Sequence, residues 1–285
     1  MTDFPRPPFP YFGGKQRIAE RIVSLFPEHG HYVEPYCGGL SVLMAKPAAQ
    51  LETVNDIDGD IMTFWRVLRD RPDEMERACA LTPHSRAESL LSKDREGLDD
   101  IERARRVWVA LTQRRGGQLL HTGFRYNIDP KGTSLSLVKY LDGYVKRMEP
   151  AVQRLRNVTL ESRPALEVIE AYGKFAGALL YVDPPYPADV RGTTNAYRHE
   201  MKKETEHRDM ADALKACNAA VILSGYASPL YDELFPDWYQ VKISAYTGQG
   251  NTNAEGSART EVLWSNRELN DPALDTQQAF DFAVQ

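Results

Sequence analysis

The 285-residue chain is poor in cysteine: Cys37, Cys79 and Cys217 are an odd number with no close pair. That argues against a disulfide framework and against a structural zinc site. Long apolar runs are also missing. The longest, Ala176 to Val182 and Ala219 to Leu223, fall far short of the roughly 20 residues that cross a bilayer. The first residues, Met1 to Pro8, lack the basic and then apolar stretch of a secretory leader. A cytoplasmic protein with no membrane partner is expected. No G-x-G-x-x-G follows any candidate strand, which weighs against a dinucleotide oxidoreductase. His199 and His207 are not at metal-ligand spacing and are expected at the surface, so no metal is expected. Repeats and low-complexity segments are absent as well.

What remains is an ordinary globular composition, 42% hydrophobic and 26% charged, long enough for one large α/β domain or a catalytic domain with an insert. The net charge of −5 is unevenly spread. From Ile101 to Leu160 there are 12 Lys and Arg against 4 acids, a local +8 that leaves −13 for the rest. This split suggests a basic insert that meets a polyanion, mounted on an acidic body; solvated helix faces would give the same pattern.

Short apolar runs bounded by Gly, Pro or Asp predict strands at His31 to Glu34, Leu51 to Asn55, Asn157 to Glu161, Ala178 to Val182 and Ala220 to Ser224. Helical spacing separates them, as in Leu166, Ile169 and Tyr172, so a mostly parallel sheet covered on both faces is expected. Trp238 to Tyr246 and Thr260 to Trp264 are joined by a Gly/Asn/Thr-rich loop, which predicts a hairpin with one late antiparallel strand. Helical periodicity dominates from Asp60 to Arg156, too long for one crossover. The division predicted is a discontinuous catalytic domain over 1–71 and 157–267, a helical insert over 72–156, and a poorly ordered tail over 268–285.

Two patterns carry chemistry. The first strand runs into Val33-Glu34-Pro35-Tyr36-Cys37-Gly38-Gly39-Leu40-Ser41, a Gly-containing turn before a helix start, where a ligand can approach the backbone. Alone, this would also suit a plain connection. The second strand ends beside Asp56, 22 positions after Glu34, where nucleotide folds hold ribose hydroxyls. Together they favour an adenosine-containing ligand. The sharper signal is Asp183-Pro184-Pro185-Tyr186, directly after the strand Leu179 to Val182. A carboxylate and a proline-fixed carbonyl can accept the two hydrogens of an exocyclic amine and aim its lone pair at a methyl sulfonium, while the ring stacks on a base taken out of the helix.

The order Phe12-Gly13-Gly14-Lys15, Glu34 to Gly39, Asp56, a basic insert, and Asp183 to Tyr186 closely resembles the Dam-type (D12 class) DNA adenine-N6 methyltransferases of phages and bacteria, over about residues 8 to 267. The resemblance implies a Rossmann-like S-adenosylmethionine-dependent methyltransferase sheet, mostly parallel with one late antiparallel strand, and an inserted helical DNA-recognition subdomain. It implies S-adenosylmethionine as methyl donor, double-stranded DNA as partner, a flipped target adenine, and a cognate restriction nuclease in some members. Position by position it assigns Tyr11, Lys15, Glu34, Pro35, Gly38, Asp56 and Asp183 to the donor. Catalysis falls to Asp183, Pro184, Pro185 and Tyr186, with Pro184 supplying the carbonyl and Tyr186 the stacking face. For DNA it implies Arg125, Tyr126 and Asn127, where Arg125 reads guanine, meets a phosphate or is a plain surface charge. Arg114 and Arg115, beside Gly116-Gly117, suit phosphate contacts, although solvated ends of a helix would give the same pattern. Tyr226 is expected to border the target pocket or to pack.

Two departures stand out. The family usually has a further Gly at Leu40, so a different backbone approach to the donor is expected there. The hairpin that follows Arg-Tyr-Asn in GATC-reading members is replaced by Ile128 to Ser134, so GATC is not assigned. Asp183 argues against cytosine-N4 methylation, where Ser generally precedes Pro-Pro. The same residues would also suit an RNA-base amino methyltransferase or a catalytically silent DNA-binding relative.

Overall fold

The apolar runs assemble into one seven-stranded sheet in the computed structural model, which describes residues 4–120, 122–126, 136–187, 197–246 and 258–269. The strands are β1 (His31–Glu34), β2 (Leu51–Asn55), β3 (Val158–Glu161), β4 (Ala178–Val182), β5 (Ala220–Tyr226), β6 (Tyr239–Tyr246) and β7 (Ala258–Ser265). Their order is β3-β2-β1-β4-β5-β7-β6. The four pairings among the first five strands are parallel, and β7 runs antiparallel to both β5 and β6. The expected hairpin and its single reversed strand are therefore present. Chain order steps outward from β1 through β2 to β3, then restarts at β4 on the other side of β1. That reversal opens a crevice above the carboxyl ends of β1 and β4, where open α/β sheets bind ligands.

Successive strand residues point to opposite faces, and both faces are buried. Tyr32, Val54, Leu179, Tyr181, Ile222 and Leu263 join one apolar cluster. Val33, Leu180, Val182, Val221, Leu223 and Trp264 join the other. On the amino-terminal side of the chain, α1 (Ala19–Val23) and α2 (Ser41–Met44) flank β1, and α3 (Gly59–Asp70) follows β2. Asp58 caps α3 by accepting from the Asp60 amide at 3.0 Å.

The stretch predicted as a helical insert forms α4 (Pro72–Ala80), α5 (Arg86–Leu91), α6 (Asp100–Gln113), α7 (Leu137–Val145) and α8 (Met148–Leu155). Pro72 opens α4, where its missing N–H costs nothing. Met75, Val107, Trp108, Leu111, Met148 and Leu155 share one core with Phe64, Trp65 and Leu68 of α3. The opposite sheet face is covered by α9 (Ala165–Tyr172), α10 (Glu204–Lys215) and α11 (Pro229–Leu234). His207, expected at the surface, is buried on α10 instead, its ring within hydrogen-bond distance of the Tyr231 hydroxyl and the Met201 carbonyl. The helical period turns it inward alongside Met210 and Leu214. No helix among the described residues is long and apolar enough to cross a membrane. The expected tail lies outside the described residues beyond Leu269, which is buried against the core.

Candidate active site

A cavity of about 530 Å³ occupies the crevice, lined by Tyr11 to Lys15, Glu34 to Gly39, Asp56 to Asp58, Asp183, Pro185 and the segment Tyr197 to Met201. The expected donor contacts Tyr11, Lys15, Glu34, Pro35, Gly38, Asp56 and Asp183 thus converge on one space although they come from four separate segments of chain.

The turn after β1 is fixed from several sides. The Gly38 amide donates to the Asp56 carboxylate at 2.9 Å, and the Gly38 carbonyl accepts from the Trp65 indole at 2.9 Å. The Tyr11 ring lies against this turn, so a Cβ on Gly38, whose φ is +41°, would sit 2.5 Å from that ring. Pro35 offers its carbonyl to the buried Asn55 amide at 2.9 Å, locking the ends of β1 and β2 together. Leu40 departs from the family's glycine, yet its backbone adopts φ 54° and ψ 30°, the left-handed conformation glycine favours. Its side chain is fully buried in the core, which holds the conformation.

Asp56 accepts with both oxygens, from Gly38 and, at 2.8 Å, from the Asp58 amide. Burial and the neighbouring Asp58 charge raise its pKa to about 6 against those two amides. With one amide on each oxygen, Asp56, which lines the cavity, retains acceptor capacity for a hydroxyl donor. Glu34 accepts from the Tyr32 hydroxyl at 3.0 Å, and burial, opposed by that bond and reinforced by Asp183, lifts it to about 8.

Beyond β4, Asp183 meets Lys15 at 2.8 Å. Burial opposes the ammonium charge, but Asp183 and Glu261 hold its pKa above the ordinary lysine value. Tyr186 points its hydroxyl at Asp183 Oδ1, 2.9 Å away, and at Glu261. Lys15 Nζ lies 5.0 Å from the centre of the Tyr186 ring, and Tyr226 stands edge-on to that ring at 4.8 Å. Tyr186, expected to offer a stacking face, is only 7% exposed, because the carboxylates draw its hydroxyl inward. Pro184 is buried and Pro185 reaches the cavity. The sequence reading missed Glu261, although an acid directly before the apolar run Val262-Leu263-Trp264 is itself an anomaly for a buried strand. It also missed Arg198, which binds Asp58 and, at 2.6 Å, Asp60 on the cavity's rim.

The expected nucleic-acid residues separate into two environments. Arg114 is 0% exposed and donates to the Ser89 carbonyl and the Ser92 hydroxyl, both at 2.8 Å. Burial and the nearby Arg95 lower its pKa to about 10. It is corrected from a phosphate contact to an interior group, because the end of α6 turns it under α5. Arg115 is exposed, with its guanidinium 5.5 Å from the Tyr126 ring. Arg86, absent from the expectations, lies 4.9 Å from Phe124 and 5.8 Å from Tyr126. Tyr126 is 48% exposed. Arg125 stacks on Tyr140 at 4.9 Å with its Nε unbonded among the described residues. Asn127 lies outside the described residues, as do Ile128 to Ser134. A bridge between Arg114 and Phe124 closes this loop, and the Phe12 amide donates to the Gly117 carbonyl at 2.8 Å, joining it to the segment that carries Lys15.

The local +8 also overstates the free charge. Arg103 pairs with Asp60, Arg105 with Glu88 and Arg154 with Glu52, all acids outside the 101–160 window.

The family model described as D12 class N6 adenine-specific DNA methyltransferase matches residues 11–249. The chain is 26% identical over 283 residues to the Type II methyltransferase M1.LlaDCHI of Lactococcus lactis subsp. cremoris, covering 92% of this chain and 95% of that protein. It is 25% identical over 249 residues to the DNA N-6-adenine-methyltransferase of Escherichia phage P1, covering 83% of this chain and 32% of that longer protein. The solved rRNA methyltransferase aviRa from Streptomyces viridochromogenes aligns with a TM-score of 0.40 and 13% identity over 91% of this chain and 87% of that one.

Proposed function

Because this chain belongs to the D12 class N6 adenine-specific DNA methyltransferase family, we propose that its cavity takes S-adenosylmethionine and that Asp183 grips the amine of an adenine flipped from duplex DNA. The residues present suit such a donor. Asp56 keeps free lone pairs for ribose hydroxyls, and Glu34 and Asp183 offer carboxyl groups toward a sulfonium cation. When bound, the donor supplies an electrophilic methyl carbon.

The protein's own work is positional and electrostatic. Asp183 accepts one amine hydrogen and the Pro184 carbonyl the other, which frees the nitrogen lone pair from the ring. Lys15 and the Tyr186 hydroxyl keep the Asp183 carboxylate from rotating. Tyr186, whose hydroxyl reaches Asp183, packs edge-on against Tyr226. We assign DNA contact to Arg86, Arg115, Arg125, Tyr126 and Asn127 on an insert over 72–156, and catalysis to 1–71 with 157–267. A cytoplasmic location, and in some hosts pairing with a restriction nuclease, complete the reading.

The observation that carries this reading is Asp183 at the end of β4, ion-paired with Lys15 and opening onto the same cavity as Asp56. Methylated duplex, digested to nucleosides and resolved by mass, should contain N6-methyladenine and no N4-methylcytosine. Asp183→Ala should lower turnover by roughly 10²–10³-fold while donor affinity by calorimetry falls far less. Full turnover in that variant overturns the assignment.

A further inference from the structure

Three short oxygen-to-oxygen contacts meet behind Asp183. The Tyr186 hydroxyl touches Asp183 Oδ1 at 2.9 Å and also touches Glu261 Oε1, and the Ser224 hydroxyl lies 2.6 Å from the same Glu261 oxygen. Each contact needs one hydrogen. Tyr186 and Ser224 bring one each, and an ionised carboxylate brings none. The third hydrogen therefore belongs to one of the two carboxyl groups.

Its location follows from the surroundings. Lys15 Nζ is 2.8 Å from Asp183 and 3.7 Å from Glu261, so the ammonium favours the negative charge on Asp183. The Asp183 side chain is 19% exposed and that of Glu261 only 4%, so hydration favours the same assignment. Burial, opposed by Lys15 and reinforced by Asp183, also pushes the Glu261 carboxyl group up. Tyr181 from β4 and Glu34 from β1 face the pair as well, and neither brings a positive charge. With the proton on Glu261, the hydrogens line up in one direction: Glu261 donates to Tyr186, and Tyr186 donates to Asp183.

We infer that Glu261 is a positioning residue that holds the proton shared by the two carboxyl groups and, through the Tyr186 hydroxyl, keeps Asp183 ionised and oriented toward the target amine. This rests on the methyl-transfer reading of Asp183 given above. Loss of the shared proton at high pH leaves two carboxylates and one tyrosine hydrogen between them, so Asp183 loses its fixed orientation. The resulting alkaline fall in kcat belongs to the pair and not to either residue.

The test uses the full chain, methyl-labelled S-adenosylmethionine and mixed-sequence duplex DNA, with kcat followed from about pH 6 to pH 10 and donor Kd by calorimetry. Glu261→Gln is permanently neutral and its amide can still donate to Tyr186. It should lower kcat less than about tenfold and lose the alkaline limb seen in the unmodified protein. Glu261→Ala should lower kcat about 100-fold with donor Kd changed by only a few-fold. A Gln variant as slow as Ala, one that keeps the alkaline limb, or an unmodified protein without such a limb overturns the inference. Should the Ala variant fail to fold, the comparison of Gln with the unmodified protein decides alone. Absence of N6-methyladenine from the unmodified protein's products refutes the reaction itself, whereas its presence with Gln as slow as Ala refutes only the role of Glu261.

Discussion

Arg114 and Arg115 are neighbours in the chain and opposites in environment, and DNA binding should separate them. Arg115 and Arg86 project around the exposed Tyr126 ring, whereas Arg114 is sealed beneath α5. Each phosphate neutralised by a protein cation adds about 0.9 to the steepness with which log K falls against log salt concentration. Replacing both Arg86 and Arg115 by Ala should therefore flatten that slope by about 1.8 if each meets one phosphate. Across a fourfold rise in salt, from about 50 to 200 mM, this amounts to a roughly tenfold smaller loss of affinity than in the unmodified protein. Fluorescence anisotropy of a labelled mixed-sequence duplex measures it, and the weakening should appear on every sequence because phosphate contacts do not read bases. Arg114→Ala should leave the slope intact. It should instead lower stability by about 0.5–1.5 kcal/mol per hydrogen bond lost, since the Ser92 hydroxyl still donates to the Ser89 carbonyl once both lose the guanidinium. Parallel salt lines for the double variant and the unmodified protein would refute the reasoning, as would a flattened line for a folded Arg114→Ala.

Two further outcomes follow from the cavity. Glu34 is lifted from an ordinary value of 4.5 to about 8, so the fold favours its neutral form; that contribution is fully present below about pH 4.5 and is lost as pH rises through about 8. Glu34→Gln should remove this component, on the order of 4 kcal/mol, so that denaturant unfolding at pH 5 and at pH 8.5 differs less in the variant; equal differences contradict it. Leu40→Gly relieves a left-handed leucine, worth about 1–2 kcal/mol, but empties a buried site worth about 3–5 kcal/mol. The variant should be about 2–3 kcal/mol less stable with donor affinity within a few-fold by calorimetry, and an undiminished unfolding midpoint would be incompatible with this balance.

Much of the scaffold was legible in the chain because its signals are local. Short apolar runs bounded by Gly, Pro and Asp located all seven strands to within about two residues at most ends, and the Gly/Asn/Thr-rich loop before Thr260 revealed the reversed strand. Asp56, Glu34 and Asp183 were readable for a related reason. In a parallel sheet the functional residues follow strand ends, so finding the strand finds the position. Arg114 and Arg115 were indistinguishable in sequence, since which side of a helix end is covered depends on where α5 returns. Arg86 could join Tyr126 only through that same return.

The sequence by itself determined the strands, their covering helices and which motifs carry acids, since each depends on residues a few positions apart. Tertiary structure alone decided which charges are free. Asp60, Glu88 and Glu52 absorb arginines from a distant stretch, and β7 brings Glu261 beside Asp183 and Lys15 from the far end of the chain. Burial and charge pairing are properties of distances in space, and in a low-dielectric interior those distances set both the cost of a charge and the place of a proton.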